Sequence, residues 1–160
     1  MVKDRRQLLI KIIFLVSIIA LVSAFFIEYI LSHQPCNLCV LERIPYLLAI
    51  IIVLLNYKFI QFEKFFILFL TIIFLFSTVL SLYHLGIEQG LIQESLVCDL
   101  KNGSNLLSKE EILKELQEKS VSCKDVTFKM FGFSLTSYNI LISLLITFST
   151  GKIYFNYDKN

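Results

Sequence analysis

The chain has 160 residues, of which 56% are hydrophobic and 18% charged, with a mean hydropathy of +0.73. That balance belongs to membrane proteins rather than to a water-soluble domain of this length. The formal net charge is only +2, and the six lysines between Gly86 and Phe131 are interleaved with eight acidic residues, which excludes the basic face that nucleic acid requires.

Crossing about 30 Å of hydrocarbon takes about 20 helical residues, because an unpaired amide finds no water there. The first segment of that kind runs from about 8 to 30, behind the charged run Lys3 to Arg6. Its apolar stretch is longer than the roughly 7 to 15 residues of a signal core and no clear small-residue cleavage site follows, so a retained helix is expected. The second segment is clean only over 45–57. It reaches a full span, about 40–57, if the helix begins near Cys39 or Val40, which puts Glu42 and Arg43 at the interface with their charged ends toward water. A re-entrant segment is the alternative. The third and fourth spans are expected at about 65–85 and 131–150.

Orientation follows from lysine and arginine in the short flanks. Lys3, Arg5, Arg6, Lys11, Lys58, Lys64, Lys152 and Lys159 all fall on one side, whereas the opposite short loop, about 31–39 with its membrane edge, carries only Arg43. Both termini are therefore expected in the cytoplasm. The loop of about 86–130 crosses despite its lysines, since long loops obey the rule weakly. Within it, Ser108 and Glu111 form a capping box, and Ile112, Leu113 and Leu116 share an apolar face, which predicts a short amphipathic helix. The predicted architecture is all-α: one membrane domain over 1–160, a four-helix bundle with two loops on the outer side.

This topology places all four cysteines, Cys36, Cys39, Cys98 and Cys123, on that outer side. An even number of cysteines in an oxidising compartment points to disulfides, and four allow three pairings. Two structural bridges are one reading, and a zinc site built from the four sulfurs is another. Against the first, Cys36 and Cys39 are separated by two residues, the spacing of redox-active pairs rather than of large-loop closure. Against the second, no other pair has metal-ligand spacing, so no metal is expected. A thiol–disulfide relay fits best. With a helix starting near Cys39, free amides and the macrodipole favour a thiolate there, and Arg43 follows one turn later, so both lower the Cys39 thiol pKa while Cys36 extends into the aqueous loop.

The stretch Gln34-Pro-Cys-Asn-Leu-Cys-Val-Leu-Glu-Arg43 resembles the signature of the DsbB family of bacterial inner-membrane disulfide oxidoreductases, in which an arginine follows the second cysteine of a Pro-Cys-x-x-Cys pair by four residues. Tyr83-His-Leu-Gly-Ile-Glu88, the separated Cys98 and Cys123, and Phe131-Gly-Phe-Ser-Leu-Thr-Ser-Tyr-Asn139 extend the resemblance. It implies a quinone acceptor, ubiquinone or menaquinone, and a periplasmic thioredoxin-like donor of the DsbA type. It further implies that Cys98 forms the mixed disulfide with that donor, and that Cys123 resolves it or links transiently to Cys36. Cys39 would deliver electrons to the quinone, with Arg43 holding its oxygen. A DsbA-type donor at about −120 mV cannot be reoxidised by a disulfide at about −200 mV without an uphill step of ~4 kcal/mol, which is why a quinone is needed.

Other residues are less specific. His84 is a candidate for supporting a quinone oxygen or for proton delivery, set against an interfacial histidine satisfied by neighbours. Glu28 and Glu42 read as side chains reaching water, with a proton path as the alternative. Tyr29, Tyr46 and Tyr83 read as an interfacial aromatic belt. The competing function is a membrane anchor or assembly factor with structural disulfides.

Overall fold

The computed structural model describes residues 2–93, 98, 123–124, 129–130 and 132–157. Helix α1 spans Val2–Tyr29, α2 Asn37–Leu41, α3 Ile44–Lys58, α4 Glu63–Glu88 and α5 Leu135–Phe155, with a single 3-10 turn at Ile60–Phe62 before α4. Among the described residues, four stretches are long and apolar enough to cross a membrane: Arg5–Tyr29, Asn37–Lys58, Ile60–Glu88 and Leu135–Phe155. The expected all-α four-helix membrane fold is what is observed. The amphipathic helix expected from Ser108 lies outside the described residues.

The second span differs from its expected form in two ways. It begins at Asn37, capped by Cys36, so it reaches 22 residues by extending outward past Cys39. It is also broken into α2 and α3 around Glu42 and Arg43. Pro45, in the first turn of α3, has no amide to give to the Leu41 carbonyl, and its ring would clash with that group in a continuous helix. The break turns the Glu42 and Arg43 side chains into the bundle rather than along its rim.

Helix α4 packs most extensively on α5, while α1 and α4 each pack on α3. Lipid tails are as apolar as leucine, so close helix approach in a bilayer depends on small residues and hydrogen bonds. Both occur between α4 and α5: Thr78 Oγ1 donates to Ser143 Oγ at 3.0 Å, and a Cβ on Gly151 would stand 3.7 Å from Thr71 Cγ2. Ile13, Ala49, Val53, Leu70 and Phe74 form the core between α1, α3 and α4. Leu15, Val22, Leu54, Leu75 and Phe148 face outward, each more than half exposed, where lipid would cover them.

The two ends of the bundle are tied differently. At the end of the termini, Arg6 and the Tyr157 hydroxyl both reach the buried Glu63 carboxylate, at 3.4 and 3.2 Å. At the other end lie all four cysteines. A two-residue antiparallel ladder, Lys129–Met130 against Phe133–Ser134, leads into α5, and Gly132 takes the φ of +86° that this tight reversal requires.

Candidate redox site

Pro35 fixes the chain in extended backbone ahead of α2, and Cys36 follows with φ −70° and ψ 166°, the conformation of an N-cap. Its sulfur accepts the Cys39 amide at 3.2 Å, as a serine oxygen would. The Cys-x-x-Cys spacing is therefore that of an N-cap and the third helical residue. This corrects the expectation that Cys39 stands at the helix start with Cys36 in the aqueous loop. Cys36 is 5% exposed, and Cys39 is the more exposed residue of the two.

Both are free thiols, whereas Cys98 and Cys123 are joined in a disulfide. Cys36, Leu38, Ile87, Cys98 and Cys123 make one buried cluster, with Cys39 and Tyr83 packed against it. The Asn37 side chain donates to the Cys98 carbonyl at 3.1 Å, fastening the disulfide to the start of α2. The two cysteine pairs, distant in sequence, thus share one apolar core.

His84, 2% exposed on α4, reaches this cluster from below: its Nε2 lies 3.5 Å from Cys36 Sγ. Its Nδ1 lies 2.9 Å from Glu42 Oε1 and 3.3 Å from Thr136 Oγ1. Thr136 donates to Glu88 Oε1 at 2.7 Å, and Asn139 Nδ2 donates to Glu42 Oε2 at 3.1 Å and to Ser81 Oγ at 2.7 Å. The Tyr46 hydroxyl donates to Asn139 Oδ1. A buried carboxylate is tolerated only with such partners. Neither Glu42 nor Tyr46 is at the rim: each is buried in this network, which corrects the snorkelling expected of Glu42 and the belt role expected of Tyr46. Tyr29 is 73% exposed, as an interfacial ring is.

Hydrogen bonding from the Cys39 thiol holds the Cys36 thiol well below its ordinary range, at about 5, with the His84 imidazole acting in the same direction and burial opposing both. The favoured thiolate therefore belongs to Cys36, where the sequence had pointed to Cys39. Arg43 pairs with Glu28 of α1 and lies over the Phe25 ring, 5.3 Å from its centroid.

Below the cysteines a cavity of about 740 Å³ opens between α1 and α5. Its polar end holds Cys36, Cys39, Arg43 and His84; its length is lined mainly by aliphatic side chains, from Leu9 to Ile27 on α1 and from Ile142 to Ile146 on α5. At 1.5 Å per residue the α1 wall alone runs roughly 27 Å. Thr136, Glu88 and Asn139 were quoted in the sequence resemblance without a role. Their signal was spacing: Glu88 lies one turn after His84, and Asn139 one turn after Thr136, each pair on a shared helix face.

A four-span bundle that seats a free Cys-x-x-Cys pair against a disulfide, at the head of an apolar cavity, defines a membrane oxidoreductase of thiols and disulfides. The chain belongs to the DsbB family, disulfide bond formation protein B, whose family model matches residues 5–151. It is also 36% identical over 163 residues to a protein of Rickettsia prowazekii (strain Madrid E), itself uncharacterised, covering 99% of this chain and 92% of the relative. No solved structure matches the chain. Family membership carries a role in disulfide formation by a multi-pass membrane oxidoreductase.

Proposed function

We propose that the protein oxidises a periplasmic thioredoxin-like dithiol protein of the DsbA type and passes the electrons to a membrane quinone, ubiquinone or menaquinone. The observation that carries this reading is the shared site: two cysteine pairs in one buried cluster, opening on a long apolar cavity with Arg43 at its head. The cysteine end faces the periplasm and both termini the cytoplasm of a bacterial inner membrane, in keeping with the eight cations on the termini's side.

The residues present suit a quinone. A polar ring fits the end lined by Arg43, Cys39 and His84, and a polyprenyl tail fits the aliphatic walls of α1 and α5. When bound, the quinone supplies an acceptor for two electrons and two protons.

Cys98 and Cys123 meet the donor. A donor thiolate attacks Cys98, its partner thiol resolves the mixed disulfide, and Cys98 and Cys123 are left as thiols. Exchange inside the buried cluster then passes this reduction to a Cys36–Cys39 disulfide, restoring Cys98–Cys123. With Cys36 and Cys39 as thiols and the other pair joined, the protein would be ready to release electrons. Cys39, the more exposed residue of the two, delivers them, and the Cys36 thiolate closes the new disulfide with it. His84, 3.5 Å from Cys36 and backed by Glu42, holds the proton that leaves the thiol. Two thiols lose two protons and two electrons in each cycle.

The competing reading is an anchor whose disulfides are inert. Acid quenching and alkylation of cells separates the two: a mixed disulfide with a periplasmic protein, present in the unsubstituted protein and absent in Cys98→Ser, supports the relay. Failure of any variant to trap a partner would reject it.

A further inference from the structure

We infer that the reduced Cys36–Cys39 pair and His84 form a binding site for a thiophilic divalent cation of the zinc class, occupied only when the pair is reduced. The inference rests on geometry and holds whether or not a quinone is the acceptor.

Three observations converge. The two sulfurs and a His84 ring nitrogen lie within 4.8 Å of one another. Tetrahedral zinc, with Zn–S of about 2.3 Å and Zn–N of about 2.0 to 2.1 Å, needs S···N edges of about 3.6 Å and an S···S edge of about 3.8 Å. Cys36 Sγ already stands 3.5 Å from His84 Nε2, so that edge is formed without movement.

The second observation is the far side of the ring. Histidines that bind metal give their other nitrogen to a carboxylate or carbonyl, which fixes the tautomer and raises the basicity of the ligating nitrogen. His84 has that arrangement: Nδ1 is 2.9 Å from Glu42 Oε1, leaving Nε2 for the metal, and Asn139 steadies the other Glu42 oxygen at 3.1 Å. Third, the Glu88 carboxylate stands beside the three ligands, its Oε1 3.8 Å from the same Nε2, where it adds negative charge next to a cation whose fourth position water would fill. All three candidate ligands line the cavity, which gives an ion a route in.

Binding takes both sulfurs as thiolates and ties them up, so neither a disulfide nor electron delivery is open to the pair until the ion leaves. Oxidation removes both thiolates and closes the site. The same two sulfurs thus carry a redox function and a metal brake on it.

Cobalt(II) alone is the probe. The purified full-length Cys98→Ser/Cys123→Ser protein, reduced, is expected to bind one equivalent, with a sulfur-to-metal charge-transfer band and the intense visible bands of a tetrahedral ion. Zinc should displace the cobalt, and oxidation of Cys36 and Cys39 should abolish binding. Glu42→Gln is expected to weaken affinity roughly 10- to 100-fold while keeping the bands. His84→Asn should lose the tetrahedral signature, with circular dichroism confirming that the helices persist. Absence of the charge-transfer band in the reduced protein, undiminished affinity in His84→Asn, or equal binding by the oxidised protein would each overturn the site.

Discussion

His84 Nδ1 stands 2.9 Å from Glu42 Oε1 inside the bundle, joining α4 to the break between α2 and α3. The pair fixes which ring nitrogen faces Cys36. Because the Cys36 thiol is held down at about 5, its thiolate is present above that pH and is lost as pH falls through it. Mapping the alkylation rate of Cys36 against pH should give a curve already near its plateau at about pH 6. In His84→Asn the midpoint should move upward and alkylation at pH 6 should slow, since one of the groups favouring the thiolate is gone. An unchanged midpoint would remove His84 from that role.

Asn139 is the residue on which the buried polar network converges, serving Glu42, Ser81 and Tyr46 together. Replacing it by alanine leaves those groups short of partners away from water. Each orphaned buried group costs about 1–3 kcal/mol, so Asn139→Ala should be among the most destabilising substitutions in α5. Thermal unfolding in detergent is the measure, with an outward-facing control such as Leu144→Ala, at 53% exposure, changing little.

Arg43 carries the positive charge at the head of the cavity, paired with Glu28 and stacked on Phe25. A hydrogen bond to a charged group contributes about 1.5–3 kcal/mol. Arg43→Met should therefore raise the KM for quinone roughly 10- to 100-fold. Thiol exchange between the donor and Cys98–Cys123 should proceed at its usual rate. Loss of both together would place Arg43 in the fold rather than at the acceptor.

The cavity itself is testable through its wall. Ala24 of α1 lines it close to the cysteine end. Ala24→Phe should fill part of the space a quinone needs and raise its KM, while Cys36 alkylation stays as in the unsubstituted protein. A quinone KM that does not move would put the acceptor elsewhere on the bundle.

The four spans and the Cys-x-x-Cys pair were readable from hydropathy and spacing, because both are local patterns. What was not readable is tertiary. Glu42 looked like a side chain reaching water, since nothing near it in sequence shows that Asn139, 97 residues away, and His84, 42 residues away, would supply its partners. The outward extension of α2 was hidden for a related reason: Asn37 and Leu38 do not announce a helix start, and only the folded chain shows the Cys36 sulfur taking the cap position. That one shift moved the favoured thiolate from Cys39 to Cys36. Arg43, expected to act on a sulfur one turn away, instead faces α1, because the break before Pro45 redirects it.

Single-turnover quinone reduction tests the central proposal most directly. The full-length protein is reduced, freed of reductant and mixed without oxygen with a soluble quinone analogue, while quinone absorbance and the thiols of Cys36 and Cys39 are followed together. The expected result is that the quinone disappears as these two thiols join, and that Cys39→Ser inserts normally but consumes none. Undiminished quinone consumption by Cys39→Ser would contradict it.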